Sequence, residues 1–272
     1  MSDGSSQARL ILCADDFAHS PGTSRVIADL LAARRLTATG CMTVRPGWAE
    51  DARRLRDVPA TAAIGLHLVL TEEAPLTAMP RFAPAGELPG IATLQHGDAA
   101  RLPIEEIADE VDAQFARFVE VMGRPPAFVD GHQHVLHLPG MRPIVLAATA
   151  RHAPGAWLRT CEERPLAMLA RPWRGKALAS GLRARGFARE AGRLGLATNH
   201  GFAGHYGFAG DYAAIFPSFL RRPGARHLVM CHPGVATRRG DAIAAARPVE
   251  AAALATLPLA ELAAAHGLAL AA

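Results

Sequence analysis

Apolar runs of four to six residues, each ended by polar or turn residues, recur along the chain: Leu10 to Ala14, Thr39 to Val44, Ala63 to Leu68, Ala127 to Asp130, Trp157 to Thr160, His227 to Cys231 and a short Leu268 to Leu270. Runs of that length, without long alternation, read as buried strands of a parallel sheet. Between them the period changes to three and four. Ile104, Ile107, Ala108, Val111, Phe115, Phe118, Val119 and Met122 mark one face of a helix that Gly123 closes, with Pro125-Pro126 beyond. Further helices are expected over Pro21 to Arg35, Met141 to His152, parts of Leu166 to Leu194, Asp211 to Leu220 and Val249 to Ala255. Strand and helix in alternation predict an α/β fold, and 272 residues fit a single barrel of about 250. Residues 1–9 read as a flexible polar segment and residues 10–272 as one domain. Thr71 to Pro103 and Thr198 to Gly210 read as long loops, and loops of that length tend to wall a binding site.

Composition narrows the class. Half of the residues are hydrophobic and 20% are charged, with no apolar stretch near the roughly 18 residues that a membrane span requires. The N-terminus lacks the basic flank and cleavage site of a secretory signal, so a cytoplasmic location is expected. Cys13, Cys41, Cys161 and Cys231 form no CxxC pair and read as buried free thiols. The net charge of +4 is spread over helix-like segments, and aromatics make up only 6%, so no basic, aromatic-lined stripe for nucleic acid is present. A small-molecule partner is the expectation, and a homo-oligomer is compatible with it.

The polar residues of interest stand where strands end: Asp15-Asp16, His67, Asp130-Gly131-His132-Gln133-His134 and His232-Pro233-Gly234. In parallel α/β sheets that edge binds ligands. Asp15 or Asp16 alone reads as a helix N-cap, and His67 alone as a core histidine. Two adjacent carboxylates repel each other, however, and a cation removes the conflict. Imidazoles and a carboxylate arriving from separate strand ends supply N and O ligands for one divalent metal ion, Zn²⁺ or Mg²⁺. Of the His pair, His132 is assigned as ligand and His134 as a substrate contact or a residue that supports the ligands from behind, while His232, with an unperturbed pKa near 6.5, suits proton transfer. His137, His152, His205 and His227 lack such context and read as surface or packing residues.

In order and setting these pieces resemble the YdjC-like carbohydrate deacetylase family, which includes chitooligosaccharide deacetylases and hopanoid-biosynthesis-associated relatives. The resemblance rests on Ala14-Asp15-Asp16-Phe17 with Ser20, Gly65 to Thr71, Asp130 to Val135 with Pro139-Gly140, Thr198-Asn199 with Gly201 to Gly204, and Met230 to Gly234. It implies a TIM-barrel-like (β/α) barrel, irregular in places, and removal of an acetyl group from an N-acetylated sugar. It further implies Asp16, His67 and His132 as metal ligands, Asp15 as base, His232 as acid and Arg159 in the substrate pocket. The chain departs from the family pattern at Ala18, where Gly is usual, at Leu136, which displaces His137 by one, and at Val235, where Tyr is frequent. Ala18 would be strained if that position needs a positive φ. Two rival readings use the same residues: a metal-dependent phosphoesterase, and a sugar-binding protein without turnover.

Overall fold

The computed structural model describes residues 7–236 and 240–271. Its centre is a parallel sheet of nine strands: β1 (Ala8–Phe17), β2 (Ala38–Cys41), β3 (Ala63–Leu68), β4 (Phe128–Gly131), β5 (Trp157–Leu158), β6 (Ala197–Thr198), β7 (Phe202–Ala203), β8 (Arg226–Cys231) and β9 (Leu268–Leu270). The hydrogen-bonded order is β6-β5-β4-β3-β2-β1-β8-β7. β9 pairs with the first residues of β1, while β2 pairs with β1 from Cys13 onward. β6 and β7 lie at opposite ends of that order, yet three residues join them. A link that short forces the sheet to curl until its edges approach, which makes a TIM-barrel-like α/β fold with a seam between β6 and β7.

The curl divides the apolar residues by strand alternation. Leu10, Leu12 and Ala14 of β1 face the helices and join the large outer cluster, with Ile107, Val111 and Phe115 of the Ile104–Met122 helix. Ile11 and Cys13 face inward with Ala38, Ala63, Phe128, Trp157, Phe202, Leu228 and Met230, residues from nearly every strand, and so plug the lumen. All four cysteines are free and buried. No helix among the described residues is long and apolar enough to cross a membrane.

Some boundaries differ from the sequence expectation. β1 starts at Ala8, inside the segment assigned to the tail, and residues 1–6 lie outside the described ones. The expected loop from Thr198 onward contains β7, and Thr71 to Pro103 contains the Ile91–His96 helix. The Ile104–Met122 helix buries Glu110 and Gln114 in its core face, whereas Ile104 and Val119 are exposed. The reason is the long loop: Glu110 accepts hydrogen bonds from the Leu76 and Thr77 amides, and the Gln114 side chain bonds both the N–H and the C=O of Val69. A helix with polar groups one turn apart on its inner face thereby pins the loop that walls the site.

Candidate metal centre and its surroundings

The register of β1 against β2 slips between Ala14 and Phe17, where three steps on β1 oppose two on β2. That extra residue is a β-bulge at Asp15-Asp16, the device by which a strand re-aims a side chain. Asp16 (φ 65) and Ala18 (φ 74) both take the left-handed backbone that non-glycine residues avoid. The strain expected at Ala18 is therefore present, and local bonds hold it: the Ala18 amide donates to Ser24 Oγ at 3.0 Å, and Ser24 Oγ donates to Asp51 at 2.9 Å. Both carboxylates then reach the same mouth of the barrel, with Asp15 3% and Asp16 1% exposed.

His67 and Asp130 are neighbours in the β3–β4 register, and His67 Nδ1 lies 2.7 Å from Asp130 Oδ1. Gly40 of β2 makes room for this pair, since a Cβ there would come within 2.9 Å of Asp130 Oδ1 and 3.1 Å of the His67 ring. Asp16 Oδ1 sits 3.4 Å from His67 Nε2 and 3.1 Å from His132 Nδ1, and one ligand atom of each of these three residues lies within 4.8 Å of the others. Gln133 (φ 51) and His134 (φ 59) break the backbone after His132, so His134 turns away to pack edge to face on Phe202 and His205.

The donor set fits a divalent cation. His67 Nε2 is buried without a hydrogen-bond partner among the described residues, while Asp130 takes the other ring nitrogen and so fixes the ring's orientation, as carboxylates do behind metal-binding histidines. Burial works against charge on His67, but Asp130 and then Asp15 and Asp16 raise its pKa to about 10, so the surroundings call for positive charge at that ring. A second group, Cys13 with Asp15 and Asp130, is already served by Arg159, whose Nη1 lies 2.5 Å from Asp15 Oδ1 and 2.8 Å from Asp130 Oδ2. Burial opposes ionisation of Asp15, but Arg159, followed by His67 and His232, holds it below the usual carboxylate range.

His232 follows β8 and places Nε2 3.7 Å from Asp15 Oδ2. Burial pushes its pKa down to about 4, so at neutral pH the ring is uncharged. Two more residues, Arg247 and Glu250, bear on the site although the sequence gives no sign of them. Arg247 donates to Asp16 Oδ2 at 2.8 Å and to Asp241 at 2.6 Å. Glu250, fully buried, accepts the His232 amide at 2.5 Å and the Tyr206 hydroxyl at 2.6 Å. Arg247 and Glu250 stand three apart on the Ala246–Thr256 helix, on one face. These groups line or back a cavity of about 620 Å³ that also includes His19, Glu72, Gln133, Lys176, His205 and Phe208.

Burial raises Glu250 to about 7, against about 4.5 when unfolded. The folded protein therefore holds a proton there that the unfolded chain has lost, and the resulting stability is full below pH 4.5 and disappears as pH rises through 7. Relative to Glu250→Gln, which has no such proton to lose, wild type is expected to lose up to about 3 kcal/mol between pH 5 and pH 8. Denaturant titrations of both proteins at the two pH values check it, and parallel pH dependence would refute it.

A family model described as YdjC-like protein matches residues 9–265. The chitooligosaccharide deacetylase of Enterobacter sp. (strain 638) is 36% identical over 142 residues, covering 52% of this chain and 56% of that protein. That of Citrobacter koseri is 38% identical over 136 residues, covering 50% and 53%. The chain thus spans about half the length of the curated relatives it matches. The crystal structure of a candidate cellobiose-phosphate cleavage protein from Enterococcus faecalis V583 has the same fold, with a TM-score of 0.72 at 21% identity over 98% of this chain and 97% of that one. With the family model covering nearly all of its length, the chain belongs to the YdjC-like protein family.

Proposed function

We propose that this protein is a metal-dependent carbohydrate deacetylase that hydrolyses the acetamido group of an N-acetylated sugar or oligosaccharide and releases acetate. The observation that carries the reading is the placement of an Asp-His-His group beside a paired Asp15 and His232, all at one cavity. The names of the two curated relatives favour the same substrate class. Asp16, His67 and His132 would hold the ion. An ion held there would supply Lewis acidity, polarising the acetyl carbonyl and lowering the pKa of a nearby water.

Asp15 is the base. Its Oδ1 is fixed by Arg159, which leaves Oδ2 to accept the proton of the attacking water. His232 enters the cycle uncharged, so the proton it delivers must be received within the cycle, and Asp15 Oδ2 at 3.7 Å is its source. Passing that proton to the departing nitrogen lets the amine leave neutral and returns both groups to their starting states. His134 lines the cavity as a substrate contact, and Arg159, buried behind Asp15, serves the substrate only through its hold on that carboxylate.

Metal-replete protein incubated with N-acetylated mono- and oligosaccharides is expected to release acetate. Loss of a carboxylate behind a metal-binding histidine weakens metal by about 10–100-fold, and His67→Ala, which removes a ligand itself, is expected to exceed that range and to abolish acetate release. Metal analysis after dialysis reads the first effect. Phosphate liberated from model esters in place of acetate would turn the assignment to a phosphoesterase.

A further inference from the structure

His205 has no part in the chemistry above, yet it stands 4% exposed in the wall of the same cavity. Gly204 puts it there. That glycine has φ +117, and a Cβ on it would lie 2.3 Å from the Met230 carbonyl oxygen, so only glycine lets the chain after β7 pass this close to β8. The His205 ring packs edge to face on His134, with centroids 5.3 Å apart at 89°, and against Phe202 at 5.3 Å. Both of its nitrogens are buried, and among the described residues neither has a hydrogen-bond partner.

Buried polar atoms without partners are costly and rare in native proteins. Two on one ring, beside a cavity, mark a place where a ligand supplies the missing partners. Burial pushes His205 down to about 3, so the ring is a neutral donor and acceptor. A hydroxyl has that same dual character, whereas an ionised phosphate or carboxylate can only accept. We infer that His205 is a substrate-binding residue, one nitrogen of which, beside His134, bonds an uncharged hydroxyl of the sugar; the inference rests on the deacetylase reading for the nature of the ligand.

The test uses metal-replete full chain, as wild type, His205→Phe and His205→Gln, with a chitooligosaccharide and its single-deoxy analogues. Calorimetry gives Kd, and acetate release gives KM and kcat. Phe keeps the edge-to-face ring without its nitrogens, and Gln restores a neutral donor and acceptor. His205→Phe is expected to raise Kd and KM by about tenfold with kcat within about twofold, and Gln to recover part of the loss. Wild type should disfavour one deoxy analogue by the same factor, and His205→Phe should not distinguish it from the parent sugar. Equal Kd for wild type and His205→Phe overturns the inference. So does a wild type that binds every deoxy analogue as well as the parent, a result that does not depend on how any variant folds. Sugar binding without acetate release rejects the deacetylase reading and leaves His205 judged on Kd; binding of no sugar rejects both.

Discussion

Asp15→Asn is expected to lower kcat by about 10²–10⁴-fold while metal content stays at the wild-type level. Asn keeps the shape of the side chain and an oxygen for Arg159, so the substitution removes the proton acceptor and little else. The flanking Asp16 keeps its partners His132 and Arg247, which do not bond Asp15. A variant that lost metal together with activity would mean that Asp15 serves the ion rather than the water. Undiminished acetate release would remove Asp15 from the chemistry altogether. The informative pair of measurements is therefore steady-state acetate production and metal analysis on the same sample.

Arg159→Met is expected to destabilise the fold by about 3–5 kcal/mol, the range for leaving buried charge without its partner. Arg159 is 1% exposed and lies between Asp15 and Asp130, themselves 3% and 0% exposed. Methionine fills much of the volume but leaves two carboxylates facing each other in the lumen. The sign of the pH dependence follows from Asp15. In wild type its lowered pKa contributes stability above the unfolded value, which is lost as pH falls through the folded one. Without Arg159 the burial that opposes ionisation of Asp15 loses its main offset, so the variant is penalised for that charge at neutral pH and relieved as the carboxylate takes up a proton. The gap between the two proteins should therefore be widest near neutral pH and narrow toward pH 4. Urea denaturation at pH 7 and pH 4.5 measures it, and a constant gap would show that Arg159 acts by packing alone.

Much of this arrangement was legible because the chemistry follows apolar runs. β1, β3, β4 and β8 are long enough to read as strands, and the residues at their ends, Asp15, Asp16, His67, His132 and His232, come together at one cavity. β6 and β7 were hidden because two residues carry no period, and the expected seven strands became nine. Arg247 and Glu250 gave no signal either. Charged residues in an alanine-rich helix read as a solvated face, and only the curl of the sheet brings that face against the mouth of the barrel. His205 reads as a surface or packing residue for the same reason: its neighbours His134 and Phe202 come from β4's end and β7, and the distance between His134 and His205 in sequence says nothing of a contact across the lumen. The β-bulge had one trace, the adjacency of two acids at a strand end, but bulge and cap look alike until the register is known.

The Ala246–Thr256 helix touches the proposed cation position and the proposed proton donor through separate side chains, Arg247 to Asp16 and Glu250 to the His232 main chain. The two halves of the reaction centre therefore share one mount. Asp16 and His232 themselves hang from β1 and β8, which are paired neighbours in the sheet, so this one helix braces two adjacent strand ends and fixes ligand against donor, while His67 and His132 hang from β3 and β4's end.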